Sequence, residues 1–181
     1  MLSIISKIKF HLFHARIGPD MFLTHWMLHF KFLMRWLAKK RLGSFGDNSE
    51  IRPGSYLNET NNIYLGKGVV IRPGSMIFAV GTEASVATIA IGDNVMLGSG
   101  VHIYAGNHLF DDLNKDIIDQ GHLTENVTIA NNVWVGANAI ILKGVNIGTH
   151  TVVAAGSVVD SNLDSYSVYG GNPARKIRSL K

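Results

Sequence analysis

The chain has 181 residues, 46% of them hydrophobic and 19 of them Gly, which suits one well-buried domain with an appendage and excludes global disorder. It contains no Cys, which excludes a disulfide framework, a thiolate metal site and a cysteine nucleophile, and fits a reducing compartment. The net charge of +4 is unevenly held: residues 1–42 carry eight Lys/Arg against Asp20 alone, whereas the remainder carries nine against twelve Asp/Glu. A basic arm on a mildly acidic body is drawn to anionic surfaces.

In chain order, residues 1–16 space Leu2, Ile5, Ile8 and Leu12 as one face of a helix. After the Gly18-Pro19-Asp20 break, Leu23, Trp26, Met27, Phe30, Leu33, Met34 and Leu37 predict a single helical stripe, widened by Phe22, Leu28, Phe32 and Trp36. Lys39, Lys40 and Arg41 suit the negative C-terminal end of that helix, and Gly43 is placed to stop it. Charges scattered through the arm argue against a secretory signal, and His25, His29, Lys31 and Arg35 argue against a membrane span. No nucleic-acid-reading motif lies there. The expected organisation is a helical basic arm over 1–46, then a second domain over 47–181.

From residue 47 the period changes to six. Leu65, Ile71 and Ile77, then Ile91, Leu97 and Ile103, then Ile129, Val135, Ile141, Ile147, Val153 and Val159 form aliphatic series at six-residue spacing. Four places after the aliphatic position stands another small or β-branched residue: Val69, Ser75, Val95, Val101, Val133, Ala139, Val145, Thr151, Ser157. Six fits neither the 3.6 of a helix nor the 2 of a strand; it fits a solenoid in which each hexad is one short strand and one corner, three to a coil. Ile51, Leu57 and Ile63 stand out of register by two and predict an irregular opening coil. Insertions at 78–90 and 104–128 break the count, and in a rigid repeat such segments are where function is built.

The stretch IANNVWVGANAIILKGVNIGTHTVVAAGSVV over 129–159, followed by Gly170-Gly171-Asn172-Pro173-Ala174-Arg175, resembles the hexapeptide-repeat acetyltransferases, nearest to the maltose, galactoside and bacterial polysaccharide O-acetyltransferases. The resemblance implies an all-β solenoid, the left-handed parallel β-helix, assembled as a homotrimer with its active sites at subunit interfaces. It implies acetyl-CoA as co-substrate, contacted by Trp134, Ala137, Ala155, Arg175 and Arg178, and His108 in the inserted loop as general base. Asn107 and Asp111 beside it are the candidate acceptor-binding residues. The Asn-Phe-Asn pattern of the maltose and galactoside enzymes is not matched; Ile77-Phe78-Ala79-Val80 stands in its place, so a different acceptor is expected.

Chemically, a sugar hydroxyl is a weak nucleophile and needs a base within hydrogen-bond reach as the bond to the acyl carbon forms; an imidazole suits that role near neutral pH. The oxyanion that develops calls for a backbone N–H donor. No covalent acyl-enzyme is expected, since neither a Ser-His-Asp nor a Cys-His arrangement is visible. Asp111 and Asp112 read either as partners of His108 or as turn formers; Trp134 as outer packing or as cover for the pantetheine arm; Arg175 and Arg178 as tail charges or as partners of the CoA phosphates. His102 reads as structural, and His122 and His150 have no partner motif.

The function expected is O-acetylation of a sugar in a bacterial surface polysaccharide or its precursor, in the cytoplasm; the arm reads either as an interfacial anchor that brings the enzyme to the inner membrane or as a segment packed on the open end of the β-helix or against a neighbouring subunit. An amino-sugar N-acetyltransferase or xenobiotic acetyltransferase is the alternative. A non-catalytic membrane-associated β-helix scaffold is the alternative of another class. A γ-type carbonic anhydrase is disfavoured because His102 and His108 are six apart with no third ligand on the expected corners. No metal site is expected.

Overall fold

The computed structural model describes residues 6, 10, 14–80 and 86–181. The six-residue period becomes a left-handed parallel β-helix with three flat faces. Face A stacks strands Arg16–Ile17, Tyr56–Asn58, Met76–Phe78, His102–Tyr104, Ile140–Ile141 and Val158–Val159. Face B stacks Ser44–Phe45, Ile63–Leu65, Ile89–Ile91, Val127–Ile129 and Asn146–Ile147. Face C runs from Glu50–Ile51 through Val70–Ile71, Met96–Leu97, Trp134–Val135 and Val152–Val153 to Ser167–Gly170 and the terminal strand Arg175–Ser179. All neighbours are parallel except Arg16–Ile17 on Tyr56–Asn58 and Arg175–Ser179 on Ser167–Gly170, which close the two ends of the stack antiparallel.

The twelve aliphatic positions point to the axis, each at most 2% exposed. They form columns: Ile77, Ile103, Ile141 and Val159 on face A; Leu65, Ile91, Ile129 and Ile147 on face B; Ile71, Leu97, Val135 and Val153 on face C. The small and β-branched residues four places on are all buried too, filling the corners. Three residues before each axial residue of face C the backbone turns through positive φ: Asn48, Gly68, Asn94, Asn132, His150 and Tyr166 form one column at φ 54–66°. Gly and Asn enter that region at little cost, whereas His150 and Tyr166 do so with their rings stacked at 5.1 Å. His150 therefore has a structural place in the turn column.

The opening coil is more regular than expected. Ile51 pairs with Ile71 and Leu57 with Ile77, in register with the rest. The two extra residues are absorbed in the 3-10 turn Thr60–Asn62, after which Leu65 rather than Ile63 takes the axial place beside Ile91.

The close coil spacing leaves no room at some glycines. A Cβ on Gly136 would stand 2.5 Å from the backbone nitrogen of Ala155 in the next coil, where no flexible side chain can yield. Gly136→Ala is expected to lower stability by about 1–3 kcal/mol through overpacking, read as a reduced urea midpoint at unchanged slope.

Before the solenoid, the predicted single stripe divides into two helices, α1 (Phe22–Met27) and α2 (Lys31–Arg41). The chain leaves helical geometry at Phe30, which is extended at φ −117°. Met27, Leu28, Met34, Leu37 and Ala38 join the solenoid core, and α2 lies against the first strands of faces B and C. Leu23, Trp26 and Phe30, placed on the same stripe by spacing, are instead exposed. The helix expected from Leu2, Ile5, Ile8 and Leu12 lies outside the described residues.

Candidate active site

The insertion at 104–128 leaves face A after Tyr104 and returns to face B at Val127. Its stem is a short antiparallel hairpin, Gly106–His108 on His122–Thr124. The hairpin is tied to the solenoid by the Ala105 carbonyl, which accepts from Glu125 N at 2.9 Å, and by Asn126 Oδ1, which accepts from Thr88 N at 2.8 Å. His108 ends the outgoing strand and is exposed, as are Asn107 and Asp111. Directly opposite His108 stands His122, with ring centroids 4.2 Å apart and planes 42° apart. Sequence reasoning missed this pairing, because it left His122 without a partner. The six-residue period carries no signal for it, because both strands of the hairpin stand inside the insertion.

Beyond the stem the loop is held by Gln120, whose Oε1 accepts from Asp112 N at 3.0 Å while Nε2 donates to the carbonyls of Asp112 and Lys115 at 2.9 and 3.0 Å. Asp112 is a turn former: its Oδ1 accepts from Asn114 N at 3.1 Å, and its carboxylate meets Lys115 Nζ at 3.3 Å. The Asn114 amide, and after it Lys115, hold that carboxyl below the usual range. Gln120→Ala removes three bonds, each worth about 1 kcal/mol. The expected result is faster limited proteolysis within 109–121 with little change in global melting temperature.

His102, read as structural, lies on face A with its Nδ1 2.8 Å from the Tyr104 hydroxyl. Burial raises the Tyr104 phenol pKa, so the phenol stays protonated and can donate to an unprotonated Nδ1.

The remaining candidates gather on face C. One outward column runs Met96, Trp134, Val152, Val168 and then Arg178 on the terminal strand. The neighbouring position in each coil is Gly98, Gly136, Ala154 and Gly170, and Arg175 pairs with Gly170. The result is a smooth strip of small residues bordered by Met96 and Trp134, each 52% exposed, and ending at two guanidinium groups. With strands about 4.8 Å apart, Met96 to the terminal strand spans about 19 Å. A cleft of about 330 Å³ opens on the Met96–Trp134 part of the strip, lined by Arg72, Met96, Trp134 and Ala137 among others. Ala155 is exposed in the next corner beside Gly156. Arg175 donates to the Ala174 carbonyl at 2.9 Å and stands 3.6 Å from Asp160. Arg72, beside Met96 in the cleft and at the end of the strip away from Arg175 and Arg178, did not figure among the sequence candidates; only its register with Gly98 places it there.

A stacked solenoid of hexads with three parallel faces defines the class of left-handed β-helix proteins. The family profile described as "Bacterial transferase hexapeptide (six repeats)" matches residues 126–161, and that described as "Hexapeptide repeat of succinyl-transferase" matches 80–105. The galactoside O-acetyltransferase of Escherichia coli K12 is 30% identical over 145 residues, covering 80% of this chain and 67% of that protein. Among solved structures, a hexapeptide-repeat acetyltransferase of Vibrio cholerae complexed with acetyl coenzyme A superposes with a TM-score of 0.73 at 25% identity, covering 90% of each chain. A galactoside acetyltransferase in complex with coenzyme A gives 0.69 at 26% identity, over 90% of this chain and 82% of that one. The chain belongs to the hexapeptide-repeat acetyltransferase family.

Proposed function

We propose that the protein transfers an acetyl group from acetyl-CoA directly to a hydroxyl of a sugar in a bacterial surface polysaccharide or its precursor, with His108 as general base. The observation that carries this reading is the face C strip. Its apolar border at Met96 and Trp134 suits a thioester and pantetheine arm, its small residues let that arm lie flat, and Arg178 and Arg175 at its far end suit the phosphates. The two homologues solved with CoA or acetyl-CoA support the same donor.

In this mechanism His108 takes the hydroxyl proton as the acceptor oxygen attacks the thioester carbon, and a corner N–H steadies the oxyanion. The tetrahedral intermediate then expels the CoA thiolate, which recovers a proton from the imidazolium. Asn107 and Asp111, exposed beside the base, contact the acceptor. Trp134, Ala137 and Ala155 contact the pantetheine arm. The chain works as a homotrimer, in which the hairpin of one copy faces the strip of another, and does so in the cytoplasm, held peripherally at the inner membrane through residues 1–42. The reading is tested by CoA thiol release from acetyl-CoA against a panel of nucleotide sugars, oligosaccharides and lipid-linked glycans. Release with at least one hydroxyl acceptor and none with water alone is expected. Release only with amino-sugars or amine drugs would transfer the activity to the N-acetyl alternative.

A further inference from the structure

The outer face of the N-terminal helices is built against expectation for a surface in water. Phe22 and Phe32 are 79% and 78% exposed, and Trp26, Phe30 and Trp36 about half. On α2 the inward residues are Met34, Leu37 and Ala38, and at 100° per residue Phe32, Trp36, Lys39 and Lys40 fall on the opposite side. The helix therefore presents its aromatics away from the solenoid end that it caps. Lys31, Lys39 and Lys40 are exposed around them; Lys39 Nζ stands 3.8 Å from Asp47 Oδ1, and Lys40 Nζ lies 4.4 Å from the Trp36 ring centre. Asp20 is the sole acidic residue before Asp47, and Arg16 engages it at 3.0 Å. No helix among the described residues is long and apolar enough to cross a membrane.

We infer that this face is an interfacial membrane anchor: the aromatics of α1 and α2 enter the headgroup layer of an anionic bilayer, and the surrounding lysines pair with its phosphates. Charge complementarity selects this occupant over a second copy of the chain, because a second copy would bring like-charged lysines against lysines. The anchor also sets a height. The hairpin bearing His108 springs from the third strand of face A counted from Tyr56–Asn58, two steps of about 4.8 Å along the axis. With a helix layer of about 10 Å beneath, the strand from which that hairpin springs stands about 20 Å above the lipid surface. In so far as the acceptor is a glycan, which rests on the function proposed above, that height suits a sugar carried several units out from a lipid anchor.

The test is flotation of the full chain with phosphatidylcholine vesicles, with and without phosphatidylglycerol, for wild type and for Phe22→Ser/Phe32→Ser/Trp36→Ser. Wild type is expected to float with the anionic vesicles only, to sink in high salt, and to lose flotation in the triple variant. Each of Lys31, Lys39 and Lys40 changed to Gln should weaken partitioning about fivefold. Wild type that stays in the dense fraction at every composition overturns the anchor, as does a triple variant that floats undiminished. Wild type that forms higher oligomers as its concentration rises, while the triple substitution abolishes them, would assign the face to a second copy and equally overturn it. Thiol release on a water-soluble acceptor, measured in both proteins, keeps failure of the anchor separate from failure of the transferase: the triple variant should match wild type there.

Discussion

Replacing Ile103 by Ala should destabilise the protein by about 2–5 kcal/mol, seen as a large fall in urea midpoint. Ile103 is fully buried in the middle of the face A column, between Ile77 below and Ile141 above. The axis of a triangular coil is narrow, so the space left by three methyl and methylene groups is walled by neighbouring coils that cannot collapse without parting their backbone ladders. Little relaxation means that the cavity cost adds to the lost transfer energy. An exposed residue of the same strand layer, Met96, should tolerate Ala with a change within about 0.5 kcal/mol. A comparable loss at both positions would mean that the columns do not carry the fold.

His108→Ala should reduce kcat by about 10²–10⁴-fold, equivalent to about 3–5 kcal/mol of transition-state stabilisation, while leaving the KM for acetyl-CoA and the melting temperature nearly unchanged. The split follows from position. His108 is exposed at the end of a hairpin strand and contributes nothing to the core, so its loss leaves the solenoid packing intact. Its neighbour His122, with its ring 4.2 Å away, is the natural control. Loss of activity through His122 alone, with His108→Ala active, would move the base across the hairpin.

Much of the fold was legible because the solenoid repeats its instructions. One aliphatic residue per hexad, from Leu65 to Val159, announced the axial positions, and the small or β-branched residue four places on announced nine of the corners. The positive-φ column was also written, in Asn94 and Asn132 beside Gly68, but His150 and Tyr166 disguise it, since neither residue type advertises that backbone region. The arm was misread for a physical reason: residues 21–37 are apolar on nearly every side, so spacing could not say which stripe meets the core and which meets the surroundings. Trp26 and Phe30 sit on the predicted stripe and are exposed, while Leu28 sits beside it and is buried. At the site, repeat register brings Trp134 into line with Val168 and Gly136 into line with Gly170, and the antiparallel terminal strand, outside the repeat, then sets Arg178 and Arg175 beside them. The His108–His122 pairing was illegible because a lone hairpin inside an insertion repeats nothing.

The most direct test of the account follows the acetyl group itself. The protein is incubated with acetyl-CoA labelled in the acetyl group and a glycan acceptor, and the label is then sought in the glycan, in CoA and on denatured protein. Direct transfer to a hydroxyl leaves label in the glycan as an ester, released by alkaline hydroxylamine, with none on the protein. Label retained covalently on the denatured chain, or an amide that resists hydroxylamine, would contradict direct transfer to a hydroxyl.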